Sequence, residues 1–322
     1  MYEVTFSSEN NKRWKQTEIV LNNRKNTDPD LLAKLFVQLT DDLAYAQTYF
    51  PNSKTTKYLN QLTILAHQRI YISKRKTFNK LIKFFKYDYP FLISKHYKKL
   101  LYATVIFLFS VIIGALSGAN DENFLRIILG DEYVNQTIDN IEKGKPLDVY
   151  SKMKPFPMFL TITFNNIKVA FFAFSFGVFF SIGTGIVLFK NGIMLGAFQY
   201  FFHSKNLLLV SAMGIWMHGT IEIFSIVVAG MAGLVVGNSL LFPGTFSRKH
   251  SFQKGAMEGI KIVFGLIPFF FIAGFIESYL TRHSEIKLLS IVVIMISIFI
   301  IAYYFFIYPY ILKRKLCYQK SI

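Results

Sequence analysis

The stretch LLYATVIFLFSVIIGALSGA, residues 100–119, decides the fold class of this chain. It holds no charged side chain, and about 20 apolar residues in a helix suffice to cross the hydrocarbon core of a bilayer. Lys95, Lys98 and Lys99 come directly before it. Because basic residues accumulate on the cytoplasmic side of membrane helices, we expect this helix to begin in the cytoplasm.

The composition of the whole chain is typical of a membrane protein. Of its 322 residues, 52% are hydrophobic and 17% are aromatic, and the mean hydropathy is +0.36. This is too apolar for an ordinary soluble domain. The formal net charge of +17 lies mostly before the first apolar block and between the later ones, which indicates a positive-inside bias. Because no nucleic-acid-binding motif occurs, we expect no nucleic-acid partner.

Both ends of the chain are expected to lie in the cytoplasm. Roughly the first ninety residues contain no apolar run long enough for the core of a signal peptide, so the N-terminus is expected to stay uncleaved. The basic residues Lys313, Arg314 and Lys315 follow the last apolar block. Cys317 is the only cysteine, which excludes an intrachain disulfide and a multi-cysteine metal site. We therefore predict a multi-pass protein of a bacterial-type inner (plasma) membrane.

The region before the first span is predicted to form a cytoplasmic helical module, residues 1–77. Two apolar stripes at helical spacing, within residues 31–43 and 58–66, predict a helical hairpin. In residues 78–97, apolar side chains and lysines alternate in a pattern that suits an interfacial amphipathic helix that contacts anionic headgroups and ends before Pro90. The same pattern would arise if this stretch packed on the hairpin with its lysines solvated.

Residues 98–312 are predicted to form an all-α, polytopic membrane helix bundle of about six spans, followed by a basic cytoplasmic tail at residues 313–322. An acidic segment at about residues 120–156 is expected to be an outer loop with a short amphipathic helix. The centre allows two interpretations: a short third span before a long tilted fourth, or one or two spans broken into half-helices. The predicted spans lie near residues 100–119, 161–189, 191–205, 207–237, 256–275 and 288–311.

Polar residues inside the spans indicate the candidate functional site, because a charge at mid-bilayer costs on the order of 3 kcal/mol. His218 and Glu222 are four residues apart and share one helix face. Three interpretations stay open for this pair: hydrogen bonds that fix helix packing, a proton relay in transport, and a metal site. The metal interpretation lacks a third ligand, because no other histidine lies at a matching spacing. Glu258 and Glu277 lie near opposite ends of the predicted fifth span, within reach of water.

The candidate polar cluster combines this pair with asparagines in neighbouring spans and with glycines that permit close helix approach. Gly192 and Gly196 form a small-xxx-small spacing in GIMLG. No catalytic residue, cofactor-binding residue or metal ligand is assigned from the sequence, and no cofactor is expected. The cluster consists of Asn165, Asn166, Asn191, Gly192, Gly196, His218, Gly219, Glu222 and Glu258.

Two long stretches of the membrane region carry a combination of motifs. They read NNIKVAFFAFSFGVFFSIGTGIVLFKNGIMLGAF at residues 165–198 and HGTIEIFSIVVAGMAGLVVG at residues 218–237. The asparagine pair, the NG…LG turn and the HG..E helix together resemble the stage II sporulation protein M family of integral membrane proteins. Residues 39–71 and 84–104 are similar to the N-terminal stretch of that family. The resemblance therefore covers most of the chain.

The resemblance also identifies positions and a role. Family members often have a proline just before the HG pair, whereas Met217 stands there in this chain, so a proline-induced break is not implied at that point. Members are widespread outside spore-formers, and the family name is no evidence of sporulation. In spore-formers the namesake looks like a membrane scaffold that joins cell-wall-degrading partners. The matching positions are Asn165, Asn166, Asn191, Gly192, Gly196, His218, Gly219 and Glu222.

The sequence therefore favours a non-enzymatic integral inner-membrane protein, a scaffold or subunit of an envelope-associated membrane complex. The lipid bilayer and other membrane or envelope proteins are its expected partners, and a homo-oligomer is compatible with the same role. The alternative is a transporter or channel that uses His218, Glu222 and the asparagines as a polar path. An intramembrane hydrolase ranks third, because no motif supplies a nucleophile or a metal beside the histidine and the glutamate.

Overall fold

A computed structural model describes residues 2–22, 29–71, 77–147 and 153–319. The regular elements in these ranges are all helices. Six of the described helices are long and apolar enough to cross a membrane. The predicted all-α polytopic bundle of about six spans is therefore confirmed.

Several helices continue into a short π-helical or 3₁₀-helical turn, at Phe84–Asp88, Phe176–Val178, Ile276–Leu280, Thr281–His283 and Ala302–Ile307. In chain order, the α-helices of the described residues are α1 (Glu3–Asn22), α2 (Pro29–Tyr49), α3 (Lys54–Tyr71), α4 (Thr77–Lys83), α5 (Tyr89–Lys95), α6 (Tyr97–Asn120), α7 (Glu122–Leu129), α8 (Asp131–Glu142), α9 (Pro155–Ser175), α10 (Ile182–Ser204), α11 (Leu208–Leu241), α12 (Arg248–Phe275), α13 (Lys287–Ile301) and α14 (Tyr308–Gln319).

Met1–Leu81 form one compact unit, in which α1, α2 and α3 share a core. Trp14 of α1 is buried, and its indole N–H donates to Asp42 Oδ2 of α2 at 2.8 Å. The Trp14 ring also packs on Tyr58 of α3, with ring centroids 6.3 Å apart. Residues from both predicted stripes face this core. Its buried members are Phe6, Trp14, Leu21, Leu39, Leu43, Ala46, Leu59, Leu62 and Ala66.

Ile82–Ile322 form a second compact unit, and α11 is its central helix. In the most apolar stretch of α11, 78% of the residues are buried, against 17% in the last span. Helices α6, α9, α10, α12 and α13 all contact α11. Small residues permit this packing: a side chain at Gly177 would collide with the backbone of Gly233 on α11.

The boundary between the second and third spans was predicted wrongly. Helix α9 begins at Pro155, and its 3₁₀ extension ends at Val178, well before the predicted end near residue 189. The chain then reverses with Phe180 and Ser181 at positive φ (51° and 69°). Hydropathy does not reveal such a turn, because two phenylalanines, Phe179 and Phe180, form most of it.

As a consequence, the third span is not short. Helix α10 has 23 residues, so Lys190, expected at the inner end of a span, lies within a helix that begins at Ile182. The fourth span is the long one of the first interpretation, since α11 runs for 34 residues. Helix α11 continues without a break through Met217, the position at which family members often have a helix-breaking proline. Half-helices are not found among the described residues of this centre.

The helical stretch before the first span was predicted to end before Pro90. This prediction is wrong, because Pro90 lies within α5 and the chain stays helical through it. A π-helical turn, Phe84–Asp88, directly precedes α5, and such a turn is a common place for a helix to accommodate a break in its regular hydrogen bonds. Tyr89 is fully buried, and Phe84 packs edge-on against Phe264 of α12. Lys86 is exposed, which a headgroup contact and a solvated lysine both require, so the interfacial position of this stretch stays a prediction.

Candidate functional site

A cavity of about 460 Å³ lies within the second unit, bordered by α9, α10 and α11. Much of its wall is apolar, but five polar side chains of the candidate cluster line it, together with Gly219. Ile128, Leu129 and Tyr133 of the short helices α7 and α8 also border it. The five polar side chains are those of Asn165, Asn166, Asn191, His218 and Glu222. The structure therefore brings together most of the sequence-derived cluster.

His218 projects from the middle of α11 and is 5% exposed. Its Nδ1 lies 3.2 Å from the hydroxyl oxygen of Thr281, and its Nε2 lies 3.8 Å from Glu277 Oε1. The Thr281 hydroxyl has one hydrogen, and it donates to the Ile276 carbonyl at 3.3 Å. When the hydroxyl donates to Ile276, its oxygen accepts from His218 Nδ1–H, which is the tautomer assigned here. This assignment leaves the lone pair of Nε2 directed toward Glu277.

Glu222 lies one turn after His218 on the same face of α11 and meets Glu277, which comes from the π-helical turn after α12. One nitrogen of His218 and one carboxylate oxygen from each glutamate lie within 4.8 Å of one another. From α9, Asn166 faces Glu222. The Asn166 amide nitrogen is buried and makes no well-aligned hydrogen bond within the described residues.

Glu258 does not belong to this cluster, contrary to the sequence-based grouping. It lies near the start of α12, where Lys95 and His96 from the chain around α5 contact it. His96 Nε2 lies 2.8 Å from Glu258 Oε2, and Lys95 Nζ contacts the other carboxylate oxygen. Burial lowers the pKa of His96, and the hydrogen bond and charge of Glu258 act in the opposite direction. This is a second, separate polar centre.

Gly192 and Gly196 pack helix α10 against α6 and do not line the cavity. A Cβ at Gly192 would lie 2.6 Å from Ser110 Cβ and 2.7 Å from the Phe107 carbonyl oxygen. A Cβ at Gly196 would collide with the backbone carbonyl of Val111. The small-xxx-small spacing therefore indicates helix contact here and no ligand site.

Sequence reasoning missed Glu277 as a partner of His218 and Glu222. Helical spacing from His218 and Glu222 does not lead to Glu277, because Glu277 lies 55 positions after Glu222 and on another helix. The only sequence signal for Glu277 is that a carboxylate inside an apolar block is energetically costly in a membrane and therefore needs a partner. The structure places it opposite His218, in the π-helical turn Ile276–Leu280 that follows α12.

Comparisons with known proteins concern both units. A family model described as "Stage II sporulation protein M" matches residues 103–282, which include α9 to α12 and all the residues that line the cavity. A second model, described as "Domain of unknown function (DUF8413)", matches residues 4–72, the stretch of α1 to α3. No curated protein and no solved structure matches the chain.

Proposed function

Because this chain belongs to the stage II sporulation protein M family, we propose that it is a non-enzymatic subunit of a membrane assembly at the cell envelope. The six-span bundle anchors it, and the unit Met1–Leu81 binds a partner protein. The observation that carries this proposal is the modular construction of the chain. Each unit is compact by itself, and a separate family model matches each.

The N-terminal unit has the features of a binding module on a membrane anchor. Trp14 is buried in its core. An ion pair between Arg13 Nη2 and Asp42 Oδ2, 2.6 Å apart, joins α1 to α2. Its surface nevertheless keeps large apolar side chains exposed, among them Ile19 at 69% and Val37 at 58%. Exposed apolar side chains of this size are what the contact surface of a partner protein buries.

Photo-crosslinking in native membranes tests this role. A photoreactive amino acid is placed at Ile19 or Val37 of the full-length chain, and crosslinked products are separated and identified by mass spectrometry. We expect discrete adducts with the same envelope proteins from both positions. The control is Phe109 of α6, 62% exposed on a membrane-spanning helix, which should give mainly lipid adducts. Absence of discrete protein adducts at both N-terminal positions would contradict the proposal.

We further propose an inner-membrane location with both termini in the cytoplasm. Six crossings leave both ends of the bundle on one side. Basic groups precede the first span, and Arg248 and Lys249 begin the fifth, whereas Asp131 and Asp139 belong to the segment after the first span.

Cysteine accessibility tests this topology, after Cys317 has been replaced by serine. Both Asp139 and Arg248 are exposed, so a cysteine at either position is open to reagent. An impermeant maleimide added to intact cells should label Cys in place of Asp139 and should leave Cys in place of Arg248 unlabelled until the membrane is opened. The reverse pattern would show that the termini lie outside.

Transport of a proton or a small cation is a second candidate, favoured by the polar cavity itself. Glu222 and His218 line it beside Asn165 and Asn166, which is typical of polar pathways within membrane proteins. Proteoliposomes with a trapped pH or cation indicator test this candidate. Transport requires a flux that Glu222→Gln abolishes in a folded protein. Equal flux in vesicles with wild-type protein, with Glu222→Gln and without protein would exclude it.

A further inference from the structure

We propose that His218, Glu222 and Glu277 bind one divalent transition-metal ion, with zinc as the best fit. The three side chains already converge, with one ligand atom from each within 4.8 Å of the others. In a tetrahedral site with metal–ligand distances near 2.1 Å, ligand atoms lie about 3.4 Å apart. The 3.8 Å between His218 Nε2 and Glu277 Oε1 is close to that value.

The charge of the cluster favours a cation. Two carboxylates face one imidazole, and like charges at this distance repel strongly in an apolar surrounding. Among the described residues, no ion pair joins Glu222 or Glu277 to a lysine or an arginine. Arg282, one turn after Glu277, donates instead to the carbonyls of Ser278 and Met153. A divalent ion would neutralise both carboxylates.

The surroundings of the cluster orient its ligands as in metal sites. Histidine ligands usually donate their second ring N–H to a fixed acceptor, and the Thr281 hydroxyl oxygen is that acceptor for Nδ1. This contact directs Nε2 toward the two carboxylates. Independently, the buried Asn166 amide nitrogen faces Glu222 and lacks a well-aligned acceptor. It is placed to donate to a carboxylate oxygen that a bound metal has fixed, or to a metal-bound water.

The ligand types and the local backbone restrict the kind of ion. Magnesium and calcium prefer sites made only of oxygen, whereas one imidazole with two carboxylates suits zinc, manganese or iron. Glu277 lies within a π-helical turn, a feature that occurs frequently at functional sites of helices. Because the described residues supply three ligands, the fourth position is left for water or a ligand, and the cavity lined by His218 and Glu222 adjoins it.

The test measures metal binding by full-length protein purified in detergent and stripped with a chelator. Cobalt, which reports its coordination through visible absorption, and zinc are added and counted per chain after gel filtration. We expect one ion per chain and a tetrahedral or five-coordinate cobalt spectrum. Glu222→Gln and Glu277→Gln preserve side-chain size, and each should weaken binding at least about tenfold.

Matched controls are His203→Ala and Glu285→Gln, which change an exposed histidine and an exposed glutamate elsewhere in the same unit. Both should bind as the wild type does. Less than a tenth of an ion per wild-type chain, or equal binding in the ligand variants and the controls, overturns the proposal. The result is independent of the envelope-assembly proposal, because partner crosslinks from Ile19 and Val37 report a different unit.

Discussion

Two polar centres in the membrane unit contain histidine and glutamate but balance their charges differently. Around Glu258, one carboxylate meets the ammonium of Lys95 and the imidazole of His96. Around His218, two carboxylates meet one imidazole. The first centre is neutral or positive without any added ion, so it needs nothing beyond its own side chains. The second carries an excess of negative charge unless protons or a cation are bound.

This difference separates an ion pair that balances its own charge from the proposed metal site. The Glu258 centre joins α12 to α5, and Lys95 is partly exposed, so water stabilises the charges as well. The His218 centre joins α11 to the end of the fifth span and adjoins a cavity. We therefore expect added metal to act on the second centre only.

Metal removal should have the largest effect. An ion bound only by the folded protein, at a free concentration of 100 times its dissociation constant, stabilises it by about 2.7 kcal/mol. Chelation should thus lower the thermal midpoint of the wild type in detergent. Glu258→Gln should keep this metal dependence, whereas Glu277→Gln, with at least tenfold weaker binding, should keep at most about half of the stabilisation. Identical midpoints for the wild type with zinc and with chelator would remove the distinction between the two centres.

Removal of the Glu258 carboxylate should have the next largest effect. Glu258→Ala leaves Lys95 and the mostly buried His96 without their acceptor, and we expect a loss of about 2 kcal/mol. Glu258→Gln keeps an acceptor for His96 and should cost roughly half as much. Denaturation midpoints of metal-loaded protein measure both changes. If the alanine variant is as stable as the wild type, water alone replaces the ion pair.

Thr281→Val tests the orientation of His218 with little change in volume. The substitution removes the acceptor of Nδ1–H, so the ring loses a contact that holds Nε2 toward the carboxylates. We expect the zinc dissociation constant to rise about tenfold, which corresponds to about 1.4 kcal/mol. Competition with a coloured chelator measures it. An unchanged constant would show that packing alone orients the histidine.

The smallest expected effect is a pH dependence at His96. Burial lowers the pKa of folded His96 below the ordinary 6.5, so the unfolded chain takes up this proton first as pH falls. The contribution to stability is fully present above pH 6.5 and is lost as pH falls toward the folded pKa. His96→Gln should therefore flatten the decline of the thermal midpoint below pH 6.5. A decline of the same steepness in both proteins would assign it to other groups.

Local patterns were sufficient for the elements but not for all of their ends. The six spans follow from apolar length alone, because a bilayer requires each crossing to bury its backbone hydrogen bonds within a helix. The turn at Phe179–Ser181 was missed, because its residues are as apolar as the helices on both sides. In the same way, the helix was predicted to end before Pro90, because proline usually ends a helix from within, whereas here a π-helical turn precedes the proline and the helix continues.

The sequence by itself determined that this is a helical membrane protein, and it selected His218, Glu222 and the asparagines, because polar groups inside apolar blocks are costly whatever their partners. Only the tertiary structure decided which of these residues meet. It joined Glu277 to His218 and Glu222 and moved Glu258 to Lys95 and His96. Helical periodicity states which residues share a face of one helix, and it carries no information about which faces of different helices pack together.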